Sequence, residues 1–280
     1  MTAVKETEEK LYSIGEVSKI CNVSKKALRF YDEIGIISPD KVSESTHYRY
    51  YSRKSLLNLT IVKYYKQMGF KLEEMRNLLS SEEYRTMERG FLKKINELQD
   101  EQTAVMVKLT SVTDWYELLV EAQTVIENDV RDVSIRFVET KEYGFMDQDY
   151  IADDMEAIIN LQWTDFLETI GNEITGAVNI IYPSWKERVN GSCQKMRIIQ
   201  QMIMPAKPEH LIQMGGEMML SCYHIGPHET IGETYEKMEA YAKEHNYNLG
   251  EFGWERYVTD CWTTKNKDMY VTEVRIGVTR

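Results

Sequence analysis

Val23–Pro39 reads V-S-K-K-A-L-R-F-Y-D-E-I-G-I-I-S-P and places Lys25, Lys26 and Arg29 within five positions of an otherwise acidic chain. Ser24 is a good helix N-cap, because its hydroxyl can accept from an amide that the first turn leaves unpaired. In the helix that follows, Ala27, Leu28 and Tyr31 share one face and the three cations occupy the other. Gly35 suits the helix end, and Ile36-Ile37 starts an extended piece that stops at Pro39.

Outward from there, Ser13 precedes an apolar pattern at Ile14, Val17 and Ile20, so a first helix joins the second through the turn Cys21-Asn22-Val23. A second extended run, His47–Tyr51, carries Tyr48 and Tyr50 on one face and Arg49 on the other; with Ile36-Ile37 it is expected to form a hairpin wing. Ser52 caps a third helix with apolar positions Leu56, Leu57, Ile61, Tyr64 and Met68, closed by Gly69. A fourth, from Lys71 to about Leu79, buries Leu72, Met75 and Leu79. A winged helix-turn-helix of this kind suits duplex DNA: a helix fits the major groove while cations and hydroxyls hold phosphates.

Charge supports that division of labour. The formal net charge is −11, yet residues 12–71 hold eleven Lys/Arg against five Asp/Glu, a local net of +6. A basic module on an acidic body offers one face to a polyanion and repels it elsewhere. No apolar run is long enough to span a bilayer and the first eleven residues lack a secretory pattern, so a cytoplasmic protein with no membrane partner is expected. Cys21, Cys193, Cys222 and Cys261 show neither a disulfide framework nor a zinc spacing and read as small thiols.

From Glu82 to about Ala122 only Gly90 interrupts a helix-compatible run, and a heptad register appears. One set of positions is Phe91, Leu98, Val105, Val112 and Leu119; the other is Ile95, Gln102, Leu109 and Tyr116. A helix of that pattern is expected to pair with a second copy of itself. After Asn128 an α+β pattern reads as a duplication. The first copy is a strand near Ser134 to Glu139, a helix Asp153 to Ile170, and strands near Ala177 to Pro183 and Lys195 to Met204. The second is a strand Met218 to His224, a helix Thr230 to His245, and strands Phe252 to Asp260 and Met269 to Ile276. The expected domains are a tail 1–11, the DNA-binding domain 12–80, the coil and linker 81–127, and an effector domain 128–280.

The stretch from Ile14 through Pro39, then Y-R-Y-Y and M-G-F-K-L-E-E-M, resembles the N-terminal module of the MerR family of transcription regulators, and the long helix resembles that family's antiparallel dimerisation coil. The last 150 residues are similar to the GyrI-like effector domain of its multidrug-sensing branch, through H-I-G-P-H-E-T-I-G-E-T-Y-E-K-M, W-E-R-Y and Y-V-T-E-V-R-I. The resemblance implies a homodimer that binds a long-spacer promoter, bends and untwists it for RNA polymerase, and responds to bulky hydrophobic, cationic compounds. It implies DNA contacts from Arg29 and Tyr31 on the recognition helix, Tyr48 and Arg49 on the wing and Lys66 on the third helix, beside the solvent-facing Lys25 and Lys26. Phe30, also expected at the DNA, departs from the family pattern, where many relatives have Tyr.

For the effector, Glu255 falls where the family places a carboxylate that meets a bound cation, and aromatic faces would attract the same charge. Tyr257 shares its strand face; Tyr143, Trp163, Tyr182, Trp185 and Tyr223 are the other aromatic candidates, each of which also suits core packing. No cofactor, metal or catalytic residue is expected. Cys222, His224 and His228 could ligate a metal but straddle a strand end and a turn, which suits a structural role better. The alternative function is a small-molecule hydrolase in which Glu255 and a Tyr activate water; a third reading is a regulator whose cleft is filled by its own Trp and Tyr.

Overall fold

A computed structural model describes residues 10–151, 158 and 160–280. The chain divides into two compact units between Gln102 and Thr103, inside one long helix. Among the described residues no helix is long and apolar enough to cross a membrane.

The N-terminal unit runs β1 (Tyr12–Ser13), α1 (Ile14–Ile20), α2 (Lys25–Glu33), β2 (Lys41–Val42), β3 (Arg49–Tyr51), α3 (Arg53–Gln67) and α4 (Leu72–Leu79). Ser13 and Glu16 form a reciprocal capping box on α1, and the Ala27 amide donates to the Ser24 hydroxyl at 3.1 Å on α2. The strands lie in the order β1-β3-β2, so the wing is anchored through β1 to the start of α1.

The first wing strand is Lys41–Val42, not Ile36-Ile37: the Ile36 and Ile37 amides both donate to the Tyr31 carbonyl and close α2, and Ile37 is buried. On α3 the buried apolar face is Leu59, Val62 and Tyr65, while Leu57, Ile61, Tyr64 and Met68 are exposed. That helix is apolar on two sides, and aromatic packing selects one: the Tyr65 ring lies 5.2 Å from Phe70 and 5.8 Å from Phe91. On α4 the core residues are Met75 and Leu78, with Leu72 and Leu79 partly buried beside them.

The long helix α5 spans Tyr84–Glu127. Phe91, expected in the dimer seam, instead packs on the core of the N-terminal unit. Ile95, Leu98, Val105, Leu109, Val112, Tyr116 and Leu119 are 46–68% exposed and form an apolar stripe along α5.

The C-terminal unit holds the second part of α5, β4 (Ser134–Val138), β5 (Lys141–Asp149), α6 (Leu161–Thr169), β6 (Asn179–Tyr182), α7 (Trp185–Asn190), β7 (Lys195–Gln200), β8 (Leu211–Met214), β9 (Glu217–Ile225), α8 (Ile231–Glu244), β10 (Asn248–Leu249), β11 (Gly253–Thr259) and β12 (Val271–Thr279). The strands form one antiparallel sheet in the order β4-β9-β12-β11-β6-β7-β5-β8, with β10 beside β12. This order is symmetric about the central β11–β6 pair and makes the duplication visible: β5-α6-β6-β7 repeats as β9-α8-β11-β12. The first strand of the first copy is therefore β5, and the Ser134 segment is an edge strand on β9. The beginning of the expected helix Asp153 to Ile170 lies outside the described residues; its later part is α6.

Successive residues of a strand point to opposite faces, and the sheet uses both. One face packs on α5 through Leu118, Ala122 and Val125 against Val258 and Val271. The other is covered by helices, with Leu220, Val274 and Ile276 under α8, and Ile198 under α6.

Candidate functional site

Of the eight residues expected at DNA, Lys25, Lys26, Arg29 and Phe30 are exposed along α2, Tyr48 is exposed at the wing and Lys66 is exposed on α3. Tyr31 is only 7% exposed and packs in the core with Leu28, so it supports the helix and does not face outward. Arg49 is half-committed: its Nε donates to Asp32 at 2.9 Å, and a phosphate would have to compete with that carboxylate. Sequence reasoning missed Asp40, which accepts from the Ser52 amide and the Ser55 hydroxyl, both at 2.6 Å, and ties the wing to the start of α3. Burial opposes the Asp40 charge, but these hydrogen bonds outweigh it and hold the carboxyl below the usual range.

The effector candidates separate onto the two faces of the sheet. On the helix-covered face, Glu255 is fully buried and its oxygens are taken: Oε1 accepts from Arg188 Nε at 3.1 Å and Tyr235 Oη at 3.0 Å, and Oε2 accepts from Tyr257 Oη at 2.6 Å. The Arg188 guanidinium lies 5.1 Å over the ring of Tyr182, another expected contact, and donates to Tyr150 Oη at 3.4 Å. Trp185 stacks on Tyr235 with ring centroids 6.0 Å apart. A side chain at Gly253 would come within about 3 Å of Tyr235 and Trp185, so this close packing requires glycine. Trp163 is buried farther along this face, its indole N–H donating to Gln200 at 2.9 Å.

Tyr143 and Tyr223 lie on the opposite face and line a cavity of about 590 Å³ between α5 and the sheet. Its walls are charged. Glu273, fully buried, accepts from Arg256 at 3.2 Å and Arg275 at 2.6 Å and also pairs with Arg136. Glu121 of α5 takes the Arg256 fork at 2.7 Å from each nitrogen and accepts from Tyr223 Oη at 2.8 Å. Burial, then the nearby Arg256, push the Arg275 guanidinium down to about 10. A charge network of this size leaves almost no periodic signal. The alternation that puts Arg256 opposite Glu255 was the one available clue.

His224 and His228 behave as structural groups. The ring nitrogens of His224 lie 2.9 Å from Thr234 Oγ1 and from the Pro227 carbonyl, and among the described residues no group of acidic, His or Cys side chains could hold a metal ion. His228 packs against Tyr257 and Tyr270, each 5.1 Å away, and burial, with smaller contributions from His224, Arg188 and Lys267, lowers it to about 4. The unfolded chain thus takes this proton first, near pH 6.5, and the native state loses stability as pH falls from there toward 4. His228→Phe, which keeps the ring contacts, is expected to gain about 2 kcal/mol on wild type between pH 7 and pH 5. Urea midpoints that shift equally in the two proteins would refute this.

Residues 12–82 match the MerR HTH family regulatory protein model, and residues 145–279 match the GyrI-like small molecule binding domain. The Multidrug-efflux transporter 1 regulator of Bacillus subtilis is 44% identical over 108 residues, covering 36% of this chain and 39% of that protein. The Multidrug-efflux transporter 2 regulator of the same organism is 24% identical over 274 residues, covering 91% and 92%. Among solved structures, the EcmrR–DNA complex in EcmrR-RPo is 18% identical, with a TM-score of 0.44, over 96% of this chain and 100% of that one. Through these matched segments, the chain carries a MerR HTH family regulatory module over residues 12–82 and a GyrI-like small-molecule-binding domain over residues 145–279.

Proposed function

We propose that the protein is a dimeric, DNA-binding transcription activator that senses bulky hydrophobic compounds through its C-terminal unit. The observation that carries the reading is the joining of an exposed basic recognition helix to a GyrI-like domain through one 44-residue helix, α5. The apolar stripe on α5 supports pairing with a second copy, and the Glu121–Arg256 ion pair gives the sensor sheet a charged hold on that helix. Promoter DNA and RNA polymerase are the partners this reading requires. A compound that prefers one of two conformations shifts the protein toward it, and DNA geometry is coupled to the same equilibrium.

Lys25, Lys26, Arg29 and Phe30, with Tyr48, Arg49 and Lys66, form the proposed DNA surface. Arg29→Ala is expected to weaken binding to DNA upstream of the coding region by about tenfold and to reduce the salt slope by about one unit. Arg49→Ala should weaken it less, because Asp32 already holds that guanidinium. Titration by fluorescence anisotropy at several salt concentrations, followed by transcription with and without hydrophobic compounds, checks the proposal. Unchanged affinity in both variants would remove the DNA assignment. Hydrolysis at Glu255 is disfavoured by geometry, since that carboxylate is fully buried and each oxygen already accepts from a neighbour.

A further inference from the structure

A site for a lipophilic cation needs a carboxylate with little water around it and aromatic faces to attract the charge. The helix-covered face of the sensor has both, in Glu255 and the tyrosines 182, 235 and 257. It also already contains a cation. Arg188 donates to Glu255 at 3.1 Å, lies over the Tyr182 ring, and has only a tenth of its side chain exposed. Its helix α7 is fastened beside the cage. The Trp185 amide donates to the Glu251 carbonyl at 3.0 Å, and the Trp185 indole donates to the Gly250 carbonyl at 3.1 Å.

We infer that Arg188 is the built-in cation of this cage and sets the charge class of the effector: the wild-type sensor accepts uncharged hydrophobic compounds and excludes lipophilic cations. This rests on the sensor reading above. Glu255 and Arg188 together have no net charge, so an incoming cation meets no uncompensated carboxylate and is repelled by the guanidinium at close range. Entry would also mean expelling Arg188 from a buried ion pair into which the tyrosine hydroxyls donate, whereas an uncharged compound has no such competitor. The cation expected at Glu255 from the family resemblance is, in this chain, supplied by the chain itself.

The test uses two probes of similar shape, tetraphenylphosphonium and uncharged triphenylphosphine oxide, titrated calorimetrically into the full chain. Arg188→Met removes the charge and keeps much of the bulk. Arg188→Gln keeps a hydrogen-bond donor for Glu255 and guards against a methionine variant that fails to fold. In either folded variant, the affinity for the cation relative to the uncharged probe is expected to rise at least about tenfold over wild type. Adding Glu255→Gln to that variant should return the ratio to the wild-type value. A ratio within threefold of wild type in the folded variant, or a rise that survives Glu255→Gln, would overturn the inference and leave the sensor reading intact. Failure of wild type and all variants to bind either probe would overturn the sensor reading and this inference with it. Promoter binding is not measured, so the DNA assignment stands apart from every outcome.

Discussion

Leu109→Glu combined with Val112→Glu is expected to turn a dimer into a monomer and to weaken operator binding at least about 100-fold. Both side chains are about two-thirds exposed on α5, in a stripe that continues from Ile95 to Leu119. A stripe of that length is costly to leave in water, since each buried Leu or Val is worth roughly 1.5–3 kcal/mol. In a homodimer each substitution occurs twice, and the new carboxylates would be desolvated without partners. Loss of the dimer separates two DNA-binding modules whose linkage raises avidity by about 10² to 10⁴. Sedimentation equilibrium and anisotropy at micromolar protein read the two effects, with circular dichroism as a control for helix content. A double variant that remains dimeric would place the seam elsewhere.

Glu273→Ala should lower the unfolding temperature of the C-terminal unit by about 10 °C. Glu273 is fully buried and accepts from Arg256 and Arg275 while also pairing with Arg136. Its removal leaves guanidiniums facing one another in a partly enclosed space, and breaking a buried ionic cluster from one side costs roughly 3–5 kcal/mol. Glu121 on α5 stays bound to Arg256 but cannot reach all three. Glu273→Gln keeps the shape and one acceptor and should lose less. Calorimetry distinguishes the two, and an alanine variant as stable as wild type would show that the arginines find other acceptors.

The helix-turn-helix was legible because short-range rules decide it. Ser13, Ser24 and Ser52 act as caps through contacts three residues away, and Gly35 follows α2 with a positive φ, so local sequence is enough. The long helix was legible for the same reason. The wing strand was misplaced because Ile36 and Ile37 are equally apolar whether they pair in a sheet or close a helix, and the Tyr31 carbonyl decides between these. On α3, two apolar faces competed and the ring of Phe91, 26 residues after Tyr65, chose one.

Pattern alone determined the helices of the N-terminal unit, the basic face of α2, the long helix and the second copy of the repeat, since each is written in spacings of two, three or four residues, whereas the first strand of the first copy emerged only from the strand order. Tertiary structure decided the chemistry of the sensor. Arg188 and Glu255 are 67 residues apart, as partners on different elements, and Glu121 and Arg256 are 135 apart. No local periodicity encodes such pairs: they exist because sheet register turns Glu255 toward α7 and Arg256 toward α5, and a buried charge keeps whatever counter-ion the fold brings to it.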